Sequence, residues 1–154
     1  MTKGSVAGIF LGTKAGDVMH EVGEVYAEAS NGLVGDRYHN GNGSFNKGTV
    51  GHRQVTLINA VFFPGSGFTY QDCRRNIITE GVELMWLIGR EFGIGEAVFR
   101  GLKYCDPCKR PSKLAGVEHC FAEAFHDRGG LVAEIIKSGT IQKSDPIIPP
   151  PKEY

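Results

Sequence analysis

The chain has no apolar run long enough to cross a bilayer. The stretch after Met1-Thr2-Lys3-Gly4-Ser5 offers about seven apolar or small residues before Lys14, too few for a span or a signal sequence, so a cytoplasmic protein with no membrane association is expected. Net charge is missing as well. The 17 basic and 17 acidic side chains cancel, which leaves no global field to draw in nucleic acid. Cysteine is sparse, with four in 154 residues. A chain of this length can bury a core without staples, so reduced thiols fit better than a disulfide framework. There is no glycine-rich phosphate loop between a strand and a helix, which argues against the nucleotide folds. With no internal repeat and no dividing linker, one domain over residues 1–148 is expected, followed by an extended Pro-rich tail at 149–154.

What the chain has in excess is glycine. Its 22 glycines are about twice the average share, and they fall singly between short apolar runs, as the turns and bulges of a β-rich domain require. Strands are expected at Gly4 to Leu11, Val22 to Ala29, Arg53 to Ile58 and Arg74 to Thr79, with a strand, turn and strand over Glu91 to Gly101. Closing strands follow at Leu131 to Lys137, Gly139 to Gln142 and Pro146 to Ile148. Val82 to Ile88 is too short for periodicity to decide, and Asn40 to Gly51 is rich in glycine and asparagine and reads as a loop. Val117, Cys120, Phe121, Ala124 and Phe125 lie at helical spacing, which predicts one main helix over residues 117–128, stopped by Gly129-Gly130. Many short strands with one late helix give a mostly β fold with minor α, arranged as an antiparallel barrel or open sheet.

Chemistry concentrates in Lys103-Tyr104-Cys105-Asp106-Pro107-Cys108-Lys109-Arg110-Pro111. Nearby cations favour the thiolate, the form that attacks electrophiles, carries sulfur and binds metals. From these residues alone three readings stand. Cys105-x-x-Cys108 has the spacing of a redox dithiol, without the βαβ setting such sites occupy. A zinc site could add Cys120 and either His119 or His126, although neighbours on a helix point about 100° apart. Two small buried residues are the plain alternative. Upstream, Arg37 follows Asp36 at the mouth of the glycine-rich loop and has the planar fork that binds anions. Arg74 and Arg75 stand side by side at the start of a strand, where alternation lets one face a cavity and leaves the other solvated. Lys14, Arg53 and Arg128 read as solvated charges, Arg128 gaining from the adjacent glycines that let a ligand approach.

The ordered set Gly32-Leu33-x-Gly35-Asp36-Arg37-x-His39, Arg53 to Ile58, Arg75-Asn76-Ile77-x-Thr79-x-Gly81, Phe92-x-Ile94-Gly95-Glu96-Ala97, Pro107-Cys108 and Arg128-Gly129-Gly130 resembles the MOSC domain over about Val6 to Ile148. This is the C-terminal domain of molybdenum cofactor sulfurases, found also as small stand-alone bacterial proteins. The resemblance implies a β-barrel like the small domain of pyruvate kinase and a molybdenum-pterin cofactor. It makes Cys108 the metal ligand or sulfur acceptor, and Cys108 and Cys105 the candidate catalytic pair. Arg37, Arg74 and Asn76, and more loosely Lys14 and Arg128, become the candidate cofactor-binding residues, while Lys103, Lys109 and Arg110 would keep the thiol ionised. It implies as partners the cofactor-synthesis or sulfur-donor proteins, or a separate electron donor. Reduction of N-hydroxylated compounds is the implied activity. A cofactor-free sulfur carrier and a zinc-binding structural module are the alternatives. The aminotransferase-like domain that mobilises sulfur from cysteine is missing from this sequence.

Overall fold

The computed structural model describes residues 4–41 and 53–151, so most of the segment expected as a glycine-rich loop lies outside the described residues. The apolar run at the start forms β1 (Ser5–Leu11), which runs antiparallel to β2 (His20–Val22) and to β6 (Ile77–Glu80). β5 (Val55–Asn59) lies parallel to β6 and antiparallel to β9 (Leu131–Lys137). The sheet continues through β8 (Ala97–Tyr104) and β7 (Glu91–Ile94) to β11 (Ile147–Ile148), all antiparallel. Its eight strands run in the order β11-β7-β8-β9-β5-β6-β1-β2. A second sheet joins β10 (Gly139–Gln142), β3 (Glu24–Glu28) and β4 (Gly32–Leu33).

β5 and β6 are buried along almost their whole length because both faces of the sheet are covered there. Ile9, Leu57 and Ile77 join the main core, with Leu33 and Val25 of the smaller sheet. Their neighbours Phe10, Ile58 and Ile78 face a second core with Phe63, Phe68, Phe121 and Phe125. Phe121 and Phe125 stack at 4.5 Å between centroids, and Phe68 meets Phe121 edge-on at 5.2 Å.

Two expectations are corrected. The mostly β class holds, but the sheets are not closed into a barrel. The edges of the larger sheet approach through a single bridge, Ser5 to Pro146, with backbone bonds such as Val6 N–H to Asp145 C=O at 3.0 Å. β11 is two residues long and stays paired with β7, too short to extend a ladder along β1 as well.

The helix expected over residues 117–128 is one turn, α3 (Phe121–Ala124). Its Phe121/Phe125 spacing is real, but Cys120 is extended and Asp127 is left-handed at φ 62°, so the turn cannot propagate either way. A further helix, α2 (Arg110–Ala115), follows the cysteines, ahead of the one helix expected. Pro111 lies within its first turn, where the missing N–H costs nothing, and Gly116 ends it at φ 70°. Ser112 Oγ of α2 accepts the Phe121 N–H at 2.7 Å, which fastens the two short helices together. No helix among the described residues is long and apolar enough to cross a membrane.

Candidate functional site

β5 and β6 run parallel and begin side by side, and the end of β8 lies against the start of β9. The segments entering and leaving these strands enclose a cleft of about 390 Å³, within the range of small-molecule sites. Its wall is basic: Arg37, Arg53, Arg74, Arg75, Lys103 and Arg110 face a single acid, Asp106, with Cys108 among them.

The four-residue helix α1 (Arg37–Asn40) places the first arginine. Asp36 caps it, Oδ2 accepting the Tyr38 N–H at 3.2 Å while Oδ1 takes the Gly12 N–H and the Arg37 Nη1, each at 3.0 Å. Arg37 Nη2 donates to Tyr38 Oη and to the Arg74 carbonyl, both at 3.0 Å. Its charge is therefore matched inside the protein, and it braces the next arginine.

Arg74 is a non-glycine residue held at φ 62°, a conformation that costs energy and persists only where the surroundings enforce it. Its Nη1 donates to the Asp17 carbonyl at 2.5 Å. Its Nη2 is buried with no partner among the described residues. Burial, then the nearby Arg37 guanidinium, pull its pKa below the usual arginine range. The left-handed turn also breaks the strand alternation expected here, so Arg74 and Arg75 both line the cleft. Arg75 spends its guanidinium on carbonyls of Gly129, Cys73 and Asp106.

Asn76 is fully buried below them. Its Oδ1 accepts the Thr56 N–H at 3.0 Å and its Nδ2 donates to the Phe10 carbonyl at 3.1 Å, tying β6 to β5 and β1. It underlies the arginines and is not part of the cleft wall. Lys14 is exposed in the turn after β1, and Arg128 is exposed with its guanidinium 5.1 Å from the Phe62 ring centre. Neither lines the cleft.

The two cysteines of the pair differ. Cys105 is buried, its N–H donating to the Gly130 carbonyl at 2.9 Å, whereas Cys108 is exposed in the cleft wall. None of the four cysteines is in a disulfide. Among the described residues no three His, Cys, Asp or Glu side chains converge to hold a metal ion, so the zinc alternative lacks its ligand set.

Arg53 and Arg75 were the cleft residues that sequence reasoning left in solvent. The parallel pairing of β5 with β6 was the missing signal, because it brings the entries to both strands to the same end.

This fold and basic, thiol-bearing cleft agree with the motif order. The MOSC domain profile matches residues 51–148, well over half of the chain, and the chain belongs to the MOSC domain family. It is similar to the solved structure of the YuaD protein from Bacillus subtilis, at TM-score 0.76 and 15% identity over 95% of this chain and 94% of that one. It is also similar to YiiM from Escherichia coli, at TM-score 0.63 and 17% identity over 97% and 71% of the two chains. YiiM from Geobacillus stearothermophilus gives 0.70 and 13% over 94% and 74%. At these identities the likeness is one of fold. No curated protein matches the chain.

Proposed function

We propose that the cleft binds a molybdenum-pterin cofactor through its phosphate and pterin, with Cys108 as the thiolate ligand to the metal. The observation that carries this reading is Arg74: a buried guanidinium on a strained backbone, one nitrogen without an acceptor among the described residues, in the same cleft as an exposed cysteine. An anionic acceptor would complete that donor set. The residues fit such a group in a second respect. With one cysteine and no converging His or carboxylate set among the described residues, the cleft suits a metal that arrives with most of its ligands supplied, and a soft thiolate suits molybdenum.

The protein's part is then to hold and orient. Arg74 binds the anionic end, Arg37 fixes the backbone that presents it, and Lys103 and Arg110 add positive charge around Cys108. When bound, the cofactor supplies the redox chemistry, with a separate protein as electron donor and cofactor-synthesis proteins as the source. Reduction of N-hydroxylated compounds is the first activity to assay. Molybdenum in protein purified from cells competent in cofactor synthesis is expected near one per chain, and lost in Cys108→Ala. Wild type without metal, or equal metal in the variant, would overturn the proposal.

The exposure of Cys108 beside a buried Cys105 favours one second reading, a sulfur carrier. The Cys108 thiolate would attack the outer sulfur of a donor persulfide, the donor S–S bond would break, and the donor would leave as a thiolate. Intact mass after incubation with a cysteine desulfurase and cysteine separates the two: a gain of one sulfur atom, absent in Cys108→Ser, marks the carrier.

A further inference from the structure

We infer that Arg75 is a positioning residue, which sets where the Cys108 thiol stands in the cleft. The inference rests on the reading of Cys108 as the working thiol. Arg75 is 7% exposed and its guanidinium reaches three segments at once. Nε donates to the Gly129 carbonyl at 2.8 Å, Nη1 to the Cys73 carbonyl at 3.3 Å and Nη2 to the Asp106 carbonyl at 3.3 Å. Asp106 lies between the two cysteines, and the residue linking it to Cys108 is Pro107, whose ring fixes φ. A constraint on the Asp106 carbonyl therefore reaches Cys108 with one backbone rotation fewer to absorb it.

The other side of the loop is held by the Gly129-Gly130 turn. Cys105 N–H donates to the Gly130 carbonyl at 2.9 Å. A Cβ on Gly129 would collide with the Cys105 carbonyl oxygen and with the Pro107 ring. Arg75 bonds this turn and the cysteine loop together, while its own charge enters no salt bridge among the described residues. A lysine would keep the charge and lose the planar fork, so it cannot hold the three carbonyls in one geometry.

The test compares Cys108 alkylation by neutral iodoacetamide and anionic iodoacetate at low ionic strength, read by peptide mass spectrometry. The ratio of the two rates reports the positive field at the thiol and cancels changes in its exposure. Arg75→Lys and Arg75→Gln are both expected to lower the iodoacetate preference at least about threefold, the scale of moving a thiol by a few ångström relative to unit charges in a wet cleft. The surface variant Arg100→Lys should leave it unchanged. A wild-type ratio in Arg75→Lys overturns the inference, because charge without the fork would then suffice. A lowered melting temperature with an intact ratio overturns it too, leaving Arg75 a fold-stabilising residue only. If Arg75→Gln does not fold, Arg75→Lys decides. Molybdenum content of the wild type is a separate readout, so failure of the cofactor reading is distinguishable from failure of this one.

Discussion

Arg37 and Arg74 are buried to nearly the same degree, at 4% and 8% exposure, and line the same cleft, yet their loss should have opposite consequences. Arg37→Ala strands the Asp36 carboxylate, which is fully buried. Breaking a buried pair by removing one partner costs about 3–5 kcal/mol, a fall in Tm of roughly 6–20 °C for a chain of this length. Arg74→Gly removes one charged hydrogen bond, worth about 1.5–3 kcal/mol, and the packing of a few methylenes at about 0.8 kcal/mol each. Against that, it relieves a left-handed L-residue, about 1–2 kcal/mol, partly offset by glycine's greater freedom when unfolded at about 0.5–1 kcal/mol. It also removes a buried donor without a partner, about 1–3 kcal/mol. These contributions cancel to within about 2 kcal/mol, so Tm should move by less than roughly 8 °C. Molybdenum bound per chain should nonetheless fall sharply. Thermal melts by circular dichroism, paired with metal analysis, read both quantities. If Arg74→Gly melts as low as Arg37→Ala and still carries metal, the assignment of Arg74 to the ligand and Arg37 to the fold is wrong.

Three further outcomes are expected. Asn76→Ala leaves the Thr56 N–H and the Phe10 carbonyl without their side-chain partner and should cost about 2–4 kcal/mol in urea unfolding; a cost below about 1 kcal/mol contradicts its placement as a tie between strands. Burial pushes the Cys73 thiol from 9.0 up to about 11, against the opposing Arg75 charge. Its contribution is fully present below the unfolded value and is lost as pH rises towards 11, so Cys73→Ala should show a shallower alkaline decline, and parallel curves would count against it. Hydrogen bonds from His39 first, then Asn31, hold Glu28 below its ordinary 4.5. That stability is present above 4.5 and lost as pH falls below it, so Glu28→Gln should flatten the acid limb of an unfolding series, and an unchanged limb refutes the pairing.

Much of the fold was legible because strand signals depend on local pattern. The runs Ser5–Leu11, Val55–Asn59 and Leu131–Lys137 are apolar, short and bounded by turn residues, and each became a strand. The helix was misplaced for a reason that lies outside its own sequence. Phe121 and Phe125 have helical spacing, but they are placed by contact with Phe63 and Phe68 from another segment. One turn suffices to deliver both rings to that core. α2 was missed for a local reason: Pro111 is as compatible with the first turn of a helix as with a loop.

The candidate site was legible in kind and not in allocation. Sequence order picks out arginine pairs and a Cys-x-x-Cys motif, which are the residue types that anion and metal chemistry needs. It does not say which of them the fold consumes. Arg37 is matched by its neighbour Asp36, whereas Arg75 is matched by the carbonyls of Gly129 and Asp106 besides that of Cys73, and Asn76 by Thr56 and Phe10, long-range pairings that no local pattern contains. Arg74 differs because a left-handed backbone, braced by Arg37, aims a guanidinium where the protein does not complete its hydrogen bonds. Cys105 and Cys108 separate in the same way, one drawn under the Gly129-Gly130 turn and one left in the cleft wall. The residues proposed for chemistry, Arg74 and Cys108, are thus ones whose bonding is left open among the described residues.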